Sequence, residues 1–246
     1  MKQGTGKTGK AGDAKPNPRV GLTRERVLRT AIKLADEGGL QGLSMRELGR
    51  EAGVEAMSLY NHVTSKEDLL DGMVDLVVEE ISLPATGTDW RRFMVQRASS
   101  ARQAFTRHPW AAALVDSRIR SGPARLRYLE SVIGMLRGAG FTVELAARAF
   151  SLVDSYVYGF CRQSSHVDDA HSGGADAAEA FLSVLPQEEY PNLAAMAAMQ
   201  ASGPGYDEES DFEFGLDLIL DGLQRMLEAD RANRRKPAAA KQAKAK

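Results

Sequence analysis

Cysteine is almost missing from this chain: Cys161 stands alone among 246 residues. A single thiol excludes a disulfide within the chain and suits a reducing compartment, so a cytoplasmic protein is expected. Long hydrophobic runs are missing as well. No stretch of about eighteen apolar residues occurs, so no segment should span a membrane. The first residues are rich in Lys and Gly with no apolar stretch, unlike a secretory signal. No serine elbow, phosphate-cradling glycine loop or paired-carboxylate motif occurs, which argues against an enzyme. Regular metal-ligand spacing is absent too. Cys161, His166, Asp168, Asp169 and His171 fall close together, but in no Cys-x-x-Cys pattern. The expectation for residues 164–174 is therefore a solvated polar loop, with no metal or other cofactor; a metal-responsive regulator stays as an alternative.

Alternating strand patterns are also lacking, and an all-α fold is expected. Loops fall at Pro- and Gly-bearing stretches, and helices are expected over residues 89–107, 110–120, 123–138, 143–164, 176–184, 191–200 and 211–230. Acidic charge is scarce at one end and missing from the other. Residues 1–19 carry Lys2, Lys7, Lys10, Lys15 and Arg19 against Asp13. Residues 231–246 carry seven bases and no acid. Taking those twelve bases and one acid from the chain's 32 and 33 leaves 20 against 32 in residues 20–230. An acidic body thus sits between two basic ends, which are poor in large apolar residues and should be disordered. They either solubilise the protein or touch nucleic-acid phosphates.

What is present is concentrated in residues 44–66. Ser44 followed three residues later by Glu47 has the spacing of a capping box. Leu48 and Ala52 give the helix an apolar stripe, and Gly53 can leave it in the left-handed region. A second short helix, residues 56–62, turns Leu59 inward with Val63 behind it. That leaves Ser58, Tyr60, Asn61 and His62 facing out. A helix this short must be held by packing, and a polar and aromatic outer face needs a partner. Residues 22–40 before it form an amphipathic helix with Thr23 as N-cap, ended by Gly38 and Gly39. After it, Thr64 and Ser65 cap a helix with Glu67 and Asp68 in its first turn and Leu69, Leu70, Met73, Val74 and Val77 on its buried face. The array is a helix-turn-helix joined by a fourth helix to a larger body.

Leu59, Tyr60, His62 and Val63, followed by Lys66, Leu69 and Leu70, together with residues 22–28 and 42–48, resemble the tetracycline-repressor (TetR) family of bacterial regulators. A second similarity, over residues 212–223, matches the last long helix of the subgroup with a tetracycline-repressor-type C-terminal domain. The resemblance implies a DNA-binding head over residues 20–66 and a ligand-binding and dimerisation domain over residues 67–230, with residues 67–81 as the connecting helix. It also implies a homodimer on double-stranded operator DNA, most simply a repressor released by a small-molecule effector. By position, Ser44 and Arg46 would approach phosphate or a base, and Ala56, Met57, Ser58, Tyr60, Asn61 and His62 would form the reading surface. Lys66 would hold a phosphate. A rival from another class is an architectural DNA-binding protein that uses its basic tails without sequence preference.

Two helices, residues 143–164 and 211–230, are more apolar than one buried face requires. The resemblance makes them the dimer bundle, with Gly215 and Gly222 permitting close approach. The helices over roughly residues 89–160 should enclose a cavity, with Phe105, Trp110, Leu114, Arg118, Met135, Tyr156 and Phe160 as candidate lining. Tetracycline-type members hold a magnesium–drug complex through a histidine, a threonine and a glutamate. Here those places read Val115, Arg118 and Arg162, so no metal-chelated inducer is expected.

Overall fold

A computed structural model describes residues 21–85, 87–117, 122–170, 174–202 and 208–243. Among the described residues there is no strand, and the elements run α1 (Arg24–Gly42), α2 (Met45–Ala52), α3 (Ala56–Leu59), α4 (Lys66–Glu79), α5 (Trp90–Arg107), α6 (Pro109–Ser117), α7 (Pro123–Gly138), α8 (Val143–Ala170), α9 (Gly174–Val184), α10 (Pro191–Ser202) and α11 (Glu208–Ala243). No described helix is long and apolar enough to cross a membrane.

Local chemistry sets the ends of the head helices. The Thr23 side chain accepts from the Arg26 amide at 3.2 Å, and Ser44 Oγ accepts from the Glu47 amide at 3.2 Å. Only half of the expected capping box forms, because the Glu47 carboxylate turns to Arg50 instead. Gly53 caps α2 at φ 70°, a left-handed conformation costly to any residue with a Cβ. Gly49 is required for another reason: a Cβ there would stand 2.9 Å from the Val54 carbonyl oxygen, so α2 and α3 approach only over glycine. Helix α3 is shorter than expected, closing at Tyr60 and continuing as turns through His62.

Val27, Leu28, Ala31, Ile32, Ala35, Leu48, Leu59 and Val63 bury the heart of the head, and the same core continues through Met73, Val74 and Val77 of α4 into the body. Helix α4 packs on α1 on one side and on α5, α6 and α7 on the other, so it belongs to both units. In the body, α5, α7 and α11 lie against α8, whose Ala146, Ala149, Val153 and Val157 are buried. Helices α9 and α10 pack on each other.

Three expectations are corrected. Residues 164–170, expected as loop, continue α8 to Ala170; polarity alone does not stop a helix, and no proline or glycine occurs between Gly159 and Gly173. The last helix likewise extends past residue 230 to Ala243, into the segment expected to be a disordered tail. Gly215 does not open a face to a second subunit; a Cβ there would overlap the Tyr156 ring of the same chain. The expected basic arm, residues 1–19, lies outside the described residues.

Candidate functional site: a nucleic-acid interface wired to a cavity

The residues expected to form the reading surface lie at or near the surface of the head. Ser44, Arg46, Met57, Tyr60, Asn61 and Lys66 are exposed, while Ala56, Ser58 and His62 are partly so. Met57 is 76 % and Tyr60 46 % exposed beside a fully buried Leu59. Met57 on this four-residue helix and Tyr60 at its closing turn, held in water over an anchored underside, form a surface that is fit to dock.

An ion pair locks this helix to its supports. Arg24 Nη2 lies 2.6 Å from Asp68 Oδ1, while its Nη1 donates at 2.7 Å to the His62 carbonyl. Asp68 Oδ2 accepts from the Thr64 amide at 2.8 Å, and Ser65 Oγ caps α4 at the Asp68 amide. The Arg24 hydrogen bond, with those from Thr64, pulls the Asp68 carboxyl from 3.8 down to about 2. The start of α1, the end of the reading turn and the start of α4 are thereby one unit.

At its far end α4 meets the body. Glu80 accepts from Arg107 at 2.7 Å and lies 3.3 Å from His108 Nε2, and the other ring nitrogen of His108 is 2.8 Å from Asp36 of α1. Trp110 Nε1 donates to the same Asp36 oxygen at 2.7 Å. The turn between α5 and α6 thus grips both α1 and α4.

Beside α4 lies a cavity of about 280 Å³. Val78 and Ile81 wall it from the α4 side, Arg125, Tyr128 and Leu129 from α7, and Phe150, Ser151, Asp154, Ser155, Tyr158, Gly159 and Arg162 from α8, with Val115 of α6 closing it. Behind it is a buried charge pair that the sequence reading did not single out. Arg97, wholly buried, donates through Nη1 to Asp154 Oδ1 at 2.6 Å and to the Tyr128 hydroxyl; Tyr158 donates to Asp154 Oδ2 at 2.9 Å. The guanidinium carbon sits 5.6 Å from both the Tyr128 and Phe150 ring centres, a cation–π sandwich for a group whose Nε and Nη2 have no hydrogen-bond partner. Burial pushes both the Tyr128 and Tyr158 phenols up, with Asp154 adding to each. They stay protonated and present hydroxyls. The cavity is therefore aromatic, lined with hydroxyls and flanked by guanidinium groups.

The residues expected to line a cavity are mostly elsewhere. Tyr156 stacks on Phe212, its hydroxyl donating at 2.9 Å to the Phe212 carbonyl, and Phe160 meets Phe212 edge-on at 5.2 Å. Both point toward α11, because two residues along a helix turn the side chain through about 200° and it is Tyr158 that faces the cavity. Phe105 is core, edge-on to Tyr158 at 5.3 Å. Trp110 is spent on Asp36, and Leu114 packs half-buried against the core. Met135 lines a separate, more open groove of about 790 Å³ between α7, α11 and the loop before α5, and Arg118 lies outside the described residues. Val115 and Arg162, at places where the resemblance puts ligand groups, both wall the cavity. Among the described residues no cluster of His, Cys, Asp or Glu could hold a metal ion. Of the five residues weighed for that role, only Cys161 has a described side chain, and it is buried.

This architecture is shared with known regulators. Residues 27–73 match the bacterial regulatory proteins of the tetR family, and residues 83–227 match the tetracyclin repressor-like C-terminal domain. The chain is 35 % identical over 217 residues to the HTH-type transcriptional repressor DrrR1 of Streptomyces coeruleorubidus, covering 84 % of this chain and 79 % of that one. It is 30 % identical to the class A tetracycline repressor protein from transposon 1721 of Escherichia coli, covering 81 % and 89 %. The crystal structure of Streptomyces coelicolor ActR in complex with actinorhodin superposes with a TM-score of 0.70 at 32 % identity, covering 85 % of this chain and 99 % of that one. A DNA-reading head joined by one shared helix to a cavity-bearing body is thus accounted for: the chain belongs to the tetR family of bacterial transcriptional regulators.

Proposed function

We propose that this protein is a homodimeric repressor that leaves its operator when a small aromatic molecule enters the cavity beside α4. The observation that carries the reading is that α4 serves two sites. Its first turn holds the reading helix through Asp68 and Arg24, and Val78 near its end walls the cavity. A ligand and an operator that favour different settings of α4 weaken each other by the same coupling free energy.

Several features support the ligand class. Tyr128, Phe150 and Tyr158 offer ring faces, Ser151 and Ser155 offer hydroxyls, and Arg125 and Arg162 offer cations. The similar ActR is known with actinorhodin bound. The volume lies near the lower bound of about 300 Å³ for ligand sites, so a compact molecule, or some widening on binding, is implied. The absence of the histidine, threonine and glutamate at 115, 118 and 162 sets this cavity apart from one that binds a magnesium-chelated drug.

Dimerisation is supported by α11, whose Phe214, Leu218 and Met226 are exposed at four- and eight-residue spacing, and by exposed Leu152 on α8. Paired heads would read half-sites about 34–36 Å apart or a multiple of that. The test is selection of duplexes from a random-sequence pool by the full-length protein. Enrichment of an inverted repeat with that spacing is expected; recovery of sequences with no shared motif would refute the reading.

A further inference from the structure

Helix α7 begins without a cap of its own. Its N-cap is Gly122, followed by Pro123, and no side chain of that segment accepts from the first amides. The acceptor comes from another element. Asp75, in the middle of α4, takes the Arg125 amide at 2.9 Å on Oδ1 and the Ala124 amide at 3.2 Å on Oδ2. A Cβ on residue 122 would overlap that carboxylate, so glycine at the cap position is what admits it. An acid here also meets the positive end of the α7 dipole. The α7 residues just beyond, Arg125, Tyr128 and Leu129, wall the cavity together with Val78 of α4. Another polar tie between α4 and α7, Arg127 to Glu79 at 3.4 Å, is largely exposed and contributes little.

We propose that Asp75 is a positioning residue for operator release. It serves as the N-cap of α7 in trans, so that the cavity wall and the connecting helix move as one body. A ligand pressing on α7 would then carry α4, and with it the reading head. This rests on the ligand-released repressor reading above. The alternative is a cap that only stabilises α7.

The two are separated by moving the cap into α7 itself. Gly122 has extended backbone (φ −71°, ψ 172°), the conformation of a serine N-cap. Asp75→Ala alone should lower Tm by roughly 2–4 °C. Asp75→Ala with Gly122→Ser should recover it, because the introduced hydroxyl caps α7 in cis while the link to α4 stays cut. Spin labels at Met57→Cys on α3 and Glu130→Cys on α7, in a Cys161→Ser background and diluted with unlabelled chains, report the distance from head to cavity wall. The double variant should show that distance shifted or broadened by about 2 Å or more at wild-type Tm. Asp75→Asn, which keeps one acceptor for the Arg125 amide and loses the one for Ala124, should retain the wild-type mean distance. A wild-type distribution in the double variant would overturn the proposal. Should the double variant fail to recover its Tm, identical distributions in Asp75→Ala and Asp75→Asn would overturn it equally. The distance needs no duplex, so a failed operator selection would be a separate result.

Discussion

At the residue scale the head is held by few side chains with large leverage. Asp68 accepts from Arg24 and from Thr64 at once. Its folded carboxyl, at about 2, lies below its ordinary 3.8. The stabilisation is therefore fully present above pH ~4 and is lost as pH falls toward ~2. Arg24 is nearly half exposed, so solvent screening holds the contribution to about 1 kcal/mol. Asp68→Asn should lower Tm at pH 7 and shrink the loss of Tm on acidification between pH 5 and 2, as followed by circular dichroism; an unchanged acid limb would remove Asp68 from the account. The buried pair behaves otherwise. Removing Arg97 strands Asp154 among aromatic rings, so Arg97→Met alone should cost about 3–5 kcal/mol in chemical denaturation. Arg97→Met with Asp154→Leu should recover most of it. A single variant as stable as wild type would mean that water reaches Asp154.

Residue-scale signals were unequally legible. The caps at Thr23, Ser44 and Ser65 are written in the sequence because each acts on an amide three residues away. Arg97 and Asp154 act across 57 positions, and their only local trace is a charge set among Phe93, Met94 and Ala101 on one helix and Phe150, Val153 and Val157 on the other. The trans cap left a similar trace: a Gly-Pro helix start with no capping side chain implies an acceptor supplied from elsewhere.

At the element scale, helix existence could be read from periodicity, but helix rotation could not. Tyr156 and Tyr158 are equally apolar and equally placed in the sequence; only packing against α11 sends the first to Phe212 and leaves the second for the cavity. The same ambiguity affects α11. Ile219 packs on its own core, whereas its neighbour Leu218 is 56 % exposed. Leu218→Asp should therefore split the dimer while leaving helical content unchanged, since an unpaired carboxylate in a desolvated helix interface costs several kcal/mol and the position contributes nothing to the monomer core. Light scattering decides it: a dimer that survives at micromolar concentration would place the interface on another face. Helix ends are poorly marked by polarity: the polar residues 164–170 continue α8 to Ala170.

At the scale of the whole molecule, charge is divided between a body of 20 basic and 32 acidic side chains and two basic ends. The excess of acid lies in residues 67–230, which carry 13 basic and 26 acidic side chains, whereas the head, residues 20–66, carries 7 and 6 and presents Arg46 and Lys66, which favours docking of a duplex at the head. If the ends touch phosphates, each neutralised phosphate adds about 0.9 to the slope of log affinity against log salt. Deleting residues 1–19 and 235–246, which spares Arg231 and Arg234 on the Ala139 and Gly140 carbonyls, should flatten that slope by about two to four units and leave sequence preference intact. An identical slope would make them solubilising ends.

In the proposed function α3 reads sequence and the body repositions it. The most direct measurement is the ratio of affinities for the selected duplex and a scrambled duplex of equal length, at one fixed salt concentration, in the wild type and in Tyr60→Ala. The wild-type ratio should be about 10³ or more. Tyr60→Ala should lower specific affinity by about 1–3 kcal/mol with helical content and dimerisation unchanged and affinity for the scrambled duplex hardly altered. A wild-type ratio near one, or a Tyr60→Ala protein that discriminates as well as the wild type, would contradict the account.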